Sequence, residues 1–288
     1  MIVFKLLVAL IYGILEGVTE WLPISSTGHI ILLSEFLPLD FSGVCSEELA
    51  AEFFEMFEVV IQLGAILAVL VLFFDELNPF CSVRKGFPDR DRAALWLKLG
   101  VACVPSAAVG IALQICFPKL LKGLYNWQTV SAMLIAYGLL FMLADRIADK
   151  NEKSEADVSY AAALAIGCFQ ALSIVPGTSR SGATMLGARC LGMSRRSAAR
   201  FSFFMAIPTM LGASLIKTAG FVGYVIESRT AVPPICIAIP AVAFAAAFAV
   251  SALTLRFLIS FTSAHGFTPF GVYRIVLALA VILYFTFR

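Results

Sequence analysis

Glu16 and Glu20 stand one helical turn apart inside an apolar stretch that runs into Leu22-Pro23-Ile24-Ser25-Ser26-Thr27-Gly28-His29. At i and i+4 the two carboxylates share one helix face. An acid at the centre of a lipid-embedded helix costs roughly 2.5–3.5 kcal/mol, so a pair marks a site. Its chemistry has three forms at this level. The pair can hold a hard divalent cation through oxygen ligands, share one proton, or be neutralised by an arginine such as Arg180. Ser25, Ser26 and Thr27 place hydroxyls in an irregular turn. There they either cap the chain locally or, beside two acids and a histidine, supply a nucleophile. His29, one of two histidines, lies three residues beyond Ser26, close enough to relay a proton. His265 falls in an expected loop and is read as incidental.

A second hydroxyl-rich segment reads Pro176-Gly177-Thr178-Ser179-Arg180-Ser181-Gly182-Ala183-Thr184. Its chemistry is anion binding. Small residues let backbone N–H groups approach, hydroxyls donate, and the arginine fork matches a phosphate. A helix restarting near Gly182 would add partial positive charge. The plain alternative is that Arg180 pairs with Glu16 or Glu20.

The elements that must position these residues belong to a membrane. The chain of 288 residues is 60% hydrophobic and 14% charged, with mean hydropathy +0.93. Soluble domains carry about 25% charged residues. Runs 99–117, 124–144 and 230–255 lack a formal charge and approach or exceed the roughly 20 residues that cross a bilayer. A large soluble helical protein is therefore set aside. The net charge of +2 and the absence of a basic stripe give no reason to expect nucleic acid. The cysteines (Cys45, Cys81, Cys103, Cys116, Cys168, Cys190, Cys236) form no C-x-x-C pair and lie mostly in apolar runs, so neither a disulfide framework nor a zinc site is expected. Lys5 is followed by an apolar segment that leads directly into the Glu16 motif, which is expected to be retained, not cleaved.

Spanning or deeply inserted segments are expected at about 2–22, 54–74, 94–117, 124–145, 158–175, 200–225, 231–258 and 267–287. Two of them are broken, at Pro23 and at Pro176-Gly177. Proline cannot donate to the helix ladder, and non-helical backbone at membrane depth survives only where protein or a watery cavity satisfies it. Both breaks are candidate re-entrant loops lining a polar cavity. The polar stretches 75–92 and 145–157 are read as solvated loops. Both are basic and two spans separate them, so both are placed in the cytoplasm.

The broken segments align without a gap at an offset of 154: Gly13-Ile14-Leu15-Glu16 over Gly167-Cys168-Phe169-Gln170, and Ser25-Ser26-Thr27-Gly28 over Ser179-Arg180-Ser181-Gly182. Each is followed by a Phe-initiated span, Phe57-Glu58-Val59-Val60 and Phe201-Ser202-Phe203-Phe204. The expectation is an all-α polytopic membrane protein forming one transmembrane domain, 1–288. An inverted repeat of about 1–117 and 158–258 would bring two re-entrant helical loops into one cavity. Carboxylates, a hydroxyl, a histidine and an anion cradle at that place suggest hydrolysis of a phosphate-containing amphiphile, its tail between helices. A transporter or flippase using the same pocket is the rival. A non-catalytic scaffold would leave Glu16, Glu20 and Arg180 unexplained.

Glu16 to His29, Phe57 to Gly64 (Phe-Glu-Val-Val-Ile-Gln-Leu-Gly) and Pro176 to Thr184 resemble the bacterial undecaprenyl-diphosphatase family of the bacitracin-resistance type, in order and over nearly the whole chain. The resemblance implies an enzyme, a phosphoric anhydride hydrolase. It would convert undecaprenyl diphosphate to undecaprenyl phosphate and inorganic phosphate, recycling the carrier lipid for cell-wall synthesis. It implies a multi-pass protein of the cytoplasmic membrane, a site open to its outer side, and a divalent cation, Mg2+ or Ca2+. A polyprenyl diphosphate is the partner, nucleic acid is not, and a homodimer is allowed. By matching position, Glu16 and Glu20 serve metal binding or acid–base work, and Ser26 is the nucleophile, with His29 the competing assignment or proton donor. Arg180 grips phosphate with Ser179 and Thr184, and Ser25 and Thr27 line the same site. The segment 41–51, with Cys45, is longer than the family's usual loop. The other membrane lipid-phosphatase superfamily does not fit, because its chemistry needs two active-site histidines.

Overall fold

A charge-free apolar run in lipid must satisfy its own backbone, and a helix does so within one segment. The computed structural model describes residues 2–39, 41, 47–79, 89–146, 158–228 and 232–288. Every element among the described residues is a helix: α1 (Ile2–Thr19), α2 (Ser26–Phe36), α3 (Glu47–Leu72), α4 (Phe74–Leu77), α5 (Asp89–Cys116), α6 (Pro118–Leu124), α7 (Trp127–Ala144), α8 (Tyr160–Ala171), α9 (Arg180–Cys190), α10 (Arg195–Ser228), α11 (Ile235–His265) and α12 (Thr268–Phe287). Seven of them, α1, α3, α5, α7, α10, α11 and α12, are long and apolar enough to cross a membrane.

The segment expected at 158–175 is the exception. α8 covers 12 residues, tightens into a 3-10 turn at Leu172–Ile174 and stops before Pro176-Gly177. After each break the chain does more than turn: 11-residue helices, α2 and α9, begin at Ser26 and Arg180. The second restart comes two residues earlier than the expected Gly182. His265 lies in no loop; it closes α11, where its Nδ1 is 3.3 Å from Phe261 O. The stretch 75–92, read as a solvated loop, is helical at both described ends, in α4 to Leu77 and α5 from Asp89, and Arg92 is buried there. Residues 80–88 and 147–157, Cys45, Cys81 and the middle of 41–51 lie outside the described residues. Cys103, Cys116, Cys168 and Cys190 are free thiols.

Two helix–break–helix hairpins result, and they run to opposite ends of the molecule. In the first, Tyr12 Oη donates to Leu37 O at 3.2 Å, so α2 finishes alongside the middle of α1, having run back from the break. That end also holds the ion pair between Glu35 and Arg288, past the C-terminus of α12. In the second, α9 leads through Met193 to Arg195, which pairs with Asp145 at 3.2 Å. Asp145 also accepts from Phe267 N and Thr268 N (2.6 and 2.7 Å) at the start of α12. The 20 residues of α12 rise about 30 Å, which separates the two ends.

Helix crossings in lipid depend on close van der Waals approach, so small residues occupy them. α1 lies against α11 where Gly17 faces Ala247 O and Ser251 N. α7 and α12 cross at Gly138 and Gly271: a Cβ on Gly138 would come within 2.8 Å of Gly271 O. Around these contacts Trp21, Phe141, Phe201, Phe203, Phe204 and Phe267 are buried in one apolar cluster, with Tyr12, Phe53 and Phe57 in a second. The outward faces stay apolar, as Leu97, Ile111 and Ile115 of α5 illustrate. This is the surface of a multi-pass membrane protein.

Candidate active site

Thr19 turns its hydroxyl back to Leu15 O at 2.8 Å as α1 ends, and Pro23 prevents the ladder from continuing. Ser25 then takes φ 75°, the left-handed region, and its Oγ accepts from Gly28 N at 3.3 Å as the N-cap of α2. The second break repeats this. Ser179 takes φ 71°, and its Oγ accepts from Gly182 N at 3.1 Å as the N-cap of α9. Ser25 and Ser179 are the non-glycine residues with positive φ among the described residues, and they sit at the 154-residue offset. Left-handed backbone is costly for a residue with a Cβ and persists where its surroundings over-determine it.

These matched caps aim two helix starts at one carboxylate. Ser26, the first residue of α2, donates from Oγ to Glu20 Oε2 at 3.1 Å. Arg180, the first residue of α9, donates from Nε (3.2 Å) and Nη2 (3.1 Å) to Glu20 Oε1. Its Nη1 reaches Ser202 O at 3.1 Å, and its guanidinium lies over Trp21, 5.8 Å from the ring centre. Glu20 is 7% exposed and Arg180 12%. The arginine therefore pairs with Glu20, one of the alternatives above, leaving Ser26 and Arg180 on opposite oxygens of a single acid.

Glu16 is different. It is 1% exposed, and neither carboxylate oxygen has a hydrogen-bond partner. An unpaired buried carboxylate needs a proton or a cation. Among the described residues no group of three or more His, Cys, Asp or Glu side chains is arranged to hold a metal. The donors present nevertheless fit a hard divalent cation. Mg2+ is commonly held by one or two carboxylates, with water and substrate phosphates completing the shell. Glu16 with Glu20 supplies that set.

His29 does not engage Ser26. Its Nδ1 lies 2.8 Å from Ser25 O, and since a carbonyl only accepts, Nδ1 carries the proton. In the neutral ring Nε2 then accepts from Tyr273 Oη at 2.7 Å, and the two rings stack 4° from parallel. Thr27 is half-buried at the start of α2. Thr184 is fully buried: its hydroxyl lies 3.0 Å from Arg180 O and Ser181 O and 2.5 Å from Ser202 Oγ. Ser25, Ser179 and Thr184 thus bond within and behind the two breaks, while Ser26 and Arg180 reach the Glu20 carboxylate.

Residues outside the expected set also build the site. Arg274, fully buried on α12, bonds the carbonyls of both breaks, and Tyr273 holds His29. A lone arginine in the apolar run 267–287 is a signal the sequence does contain. Ser181 ties the halves together by donating to Leu22 O at 3.3 Å.

Comparison with known proteins accords with this geometry. The family model described as "Bacitracin resistance protein BacA" matches residues 9–280. An undecaprenyl-diphosphatase of Enterococcus faecalis is 44% identical over 285 residues, covering 97% of each chain. One from Streptococcus pyogenes serotype M4 is 43% identical, covering 100% of this chain and 99% of its own. One from Lachnoclostridium phytofermentans is 45% identical, covering 98% and 97%. With the match spanning all three motifs and both hairpins, the chain belongs to the bacitracin resistance protein BacA family.

Proposed function

We propose that this protein hydrolyses undecaprenyl diphosphate to undecaprenyl phosphate and inorganic phosphate. The observation that carries the reading is the Glu20 carboxylate, bound on one oxygen by the Ser26 hydroxyl and on the other by Arg180. A hydroxyl on a carboxylate is a nucleophile beside its base, and an adjacent arginine suits a phosphoryl group.

The substrate's terminal phosphate draws Arg180 from Glu20, freeing the carboxylate to work on Ser26. Ser26 Oγ attacks the terminal phosphorus as its proton passes to Glu20. The bond to the bridging oxygen breaks, and undecaprenyl phosphate leaves with the electron pair. Water then attacks the phosphoserine; Ser26 Oγ recovers a proton through Glu20, inorganic phosphate departs, and the net proton goes to solvent. Arg180 and the first-turn N–H groups of α2 and α9 oppose the charge on the phosphoryl oxygens, where most of the acceleration should arise. Glu16 and Glu20 would hold a divalent cation, which when bound supplies further neutralisation of the diphosphate. His29 orients the Ser25–Ser26 turn through Ser25 O, which favours Ser26 over His29 as nucleophile.

The two hairpins are read as halves of an inverted repeat. Arg92, Arg146, Arg195, Arg196 and Arg200 gather at the Thr268 end of α12, which by the positive-inside tendency faces the cytoplasm. The first hairpin then opens to the outer side.

The test is phosphate release from a prenyl diphosphate by purified protein in detergent, with and without chelator. Release that is lost in Ser26→Ala and reduced but measurable in His29→Ala supports the reading. Full activity in Ser26→Ala removes serine from the mechanism. Binding without release by the unaltered protein favours a flippase.

A further inference from the structure

We propose that Arg274 is a positioning residue for this reaction, a clamp that sets the distance between Ser26 and Arg180 by holding both chain breaks from behind. It rests on the phosphatase reading above. A break at membrane depth leaves carbonyls without helical partners, and these need donors. Arg274 supplies them to both halves at once. Nη1 donates to Pro23 O at 3.0 Å, and Nη2 donates to Gly177 O at 2.7 Å and Thr178 O at 3.1 Å. Pro23 and Gly177 are themselves equivalent at the 154-residue offset. The two amino groups of one guanidinium therefore grip matching carbonyls of the two halves, each two residues before its N-cap serine.

The clamp is anchored to a third element. Nε and Nη2 also donate to Leu134 O (3.4 Å) and Met133 O (3.2 Å) of α7, and the guanidinium lies over Tyr137 and Phe141 at 5.6 and 5.8 Å. The Gly138–Gly271 crossing brings α12 close enough for this reach. Arg274 makes no hydrogen bond to Ser26, Glu20 or Arg180, and no carboxylate lies within ion-pair range of it among the described residues. Its influence on chemistry passes through backbone. Lysine preserves the charge but not the planar fork that spans two carbonyl sets.

The test uses the full chain in detergent, with kcat and KM for phosphate release from a prenyl diphosphate. Arg274→Lys and Arg274→Gln are expected to lose about ten- to a hundredfold in kcat while KM moves less than about threefold, since misplacement by an ångström acts on the transition state. Trp21 provides a second readout because it lies beneath Arg180. In a Trp96→Phe/Trp127→Phe background its emission should shift in Arg274→Lys as the first break relaxes, and should not shift in the control Lys217→Gln, an exposed α10 residue paired with Glu55. Wild-type kcat in Arg274→Lys, or an unmoved Trp21 spectrum, overturns the proposal. So does loss of folded protein in both variants, which would make the role purely structural. If the unaltered protein releases no phosphate, the phosphatase reading fails, and the Trp21 shift still decides whether Arg274 positions the breaks.

Discussion

Glu20 and Arg180, 160 positions apart, form a two-point contact in which Nε and Nη2 of the arginine share one carboxylate oxygen. The pair is buried, so its value to stability is small once desolvation is counted. In the proposed mechanism its value lies in exchange: a phosphate would replace the carboxylate on the guanidinium, and the released carboxylate would act as base on the Ser26 hydroxyl it already accepts from.

Arg180→Lys retains the charge and loses the fork. Its kcat/KM for phosphate release should fall about a hundredfold or more, close to the loss in Arg180→Ala. Near-normal turnover in the lysine variant would show that charge alone suffices.

Tyr273→Phe removes the hydroxyl that His29 Nε2 accepts from while leaving the stacked ring. Steady-state kinetics should show a drop of about tenfold, smaller than that of His29→Ala, because the Nδ1 bond to Ser25 O still orients the imidazole.

Glu16→Gln keeps the shape of a side chain whose oxygens have no protein partner. The expected result is loss of cation dependence with activity lowered about a hundredfold, read by titrating Mg2+ or Ca2+ into chelator-treated protein. Unchanged cation activation in this variant would remove Glu16 from the binding set.

The caps give a stability test. Ser25→Ala loses the bond to Gly28 N and keeps a Cβ at φ 75°, so it should destabilise by about 1–2 kcal/mol. Ser25→Gly loses the same bond but relieves the backbone, and should lie within about 0.5 kcal/mol of the parent. Thermal unfolding in detergent distinguishes the two.

Gly138→Ala places a methyl against Gly271 O at the α7–α12 crossing. Overpacking there should cost about 1–3 kcal/mol, read in the same unfolding measurement. Activity should suffer too, since the crossing carries Arg274 to the breaks.

Much of this was legible from residue order. Apolar runs without charge announced the helices, and the Pro176-Gly177 break marked the fifth run as a candidate re-entrant segment. Pro23 and Pro176-Gly177 marked the breaks, and the repeated serine–glycine spacing marked two matching turns; that Ser25 and Ser179 each cap the helix that follows is what the backbone adds. Less legible were the roles within the motif. Ser25, Ser26 and Thr27 are three adjacent hydroxyls with similar chemistry. Only backbone direction separates the one that caps from the one that faces Glu20. His29 was readable as a proton relay to Ser26, yet its ring turns to Tyr273, a neighbour 244 positions away. Arg274 is a lone charge in an apolar run, but its role was not readable there, because its five carbonyl partners come from three segments, the two breaks and α7.

The order of residues by itself determined a membrane-embedded helical chain with two interrupted segments bearing acids, hydroxyls and an arginine, since hydropathy, helix period and capping act over a few neighbouring positions. The tertiary structure alone decided that Glu20 receives both Ser26 and Arg180, that Glu16 is left unpaired, and that Arg274 grips equivalent carbonyls of both breaks. Those pairings depend on how closely helices cross at contacts such as Gly138 against Gly271, a distance that no local pattern encodes.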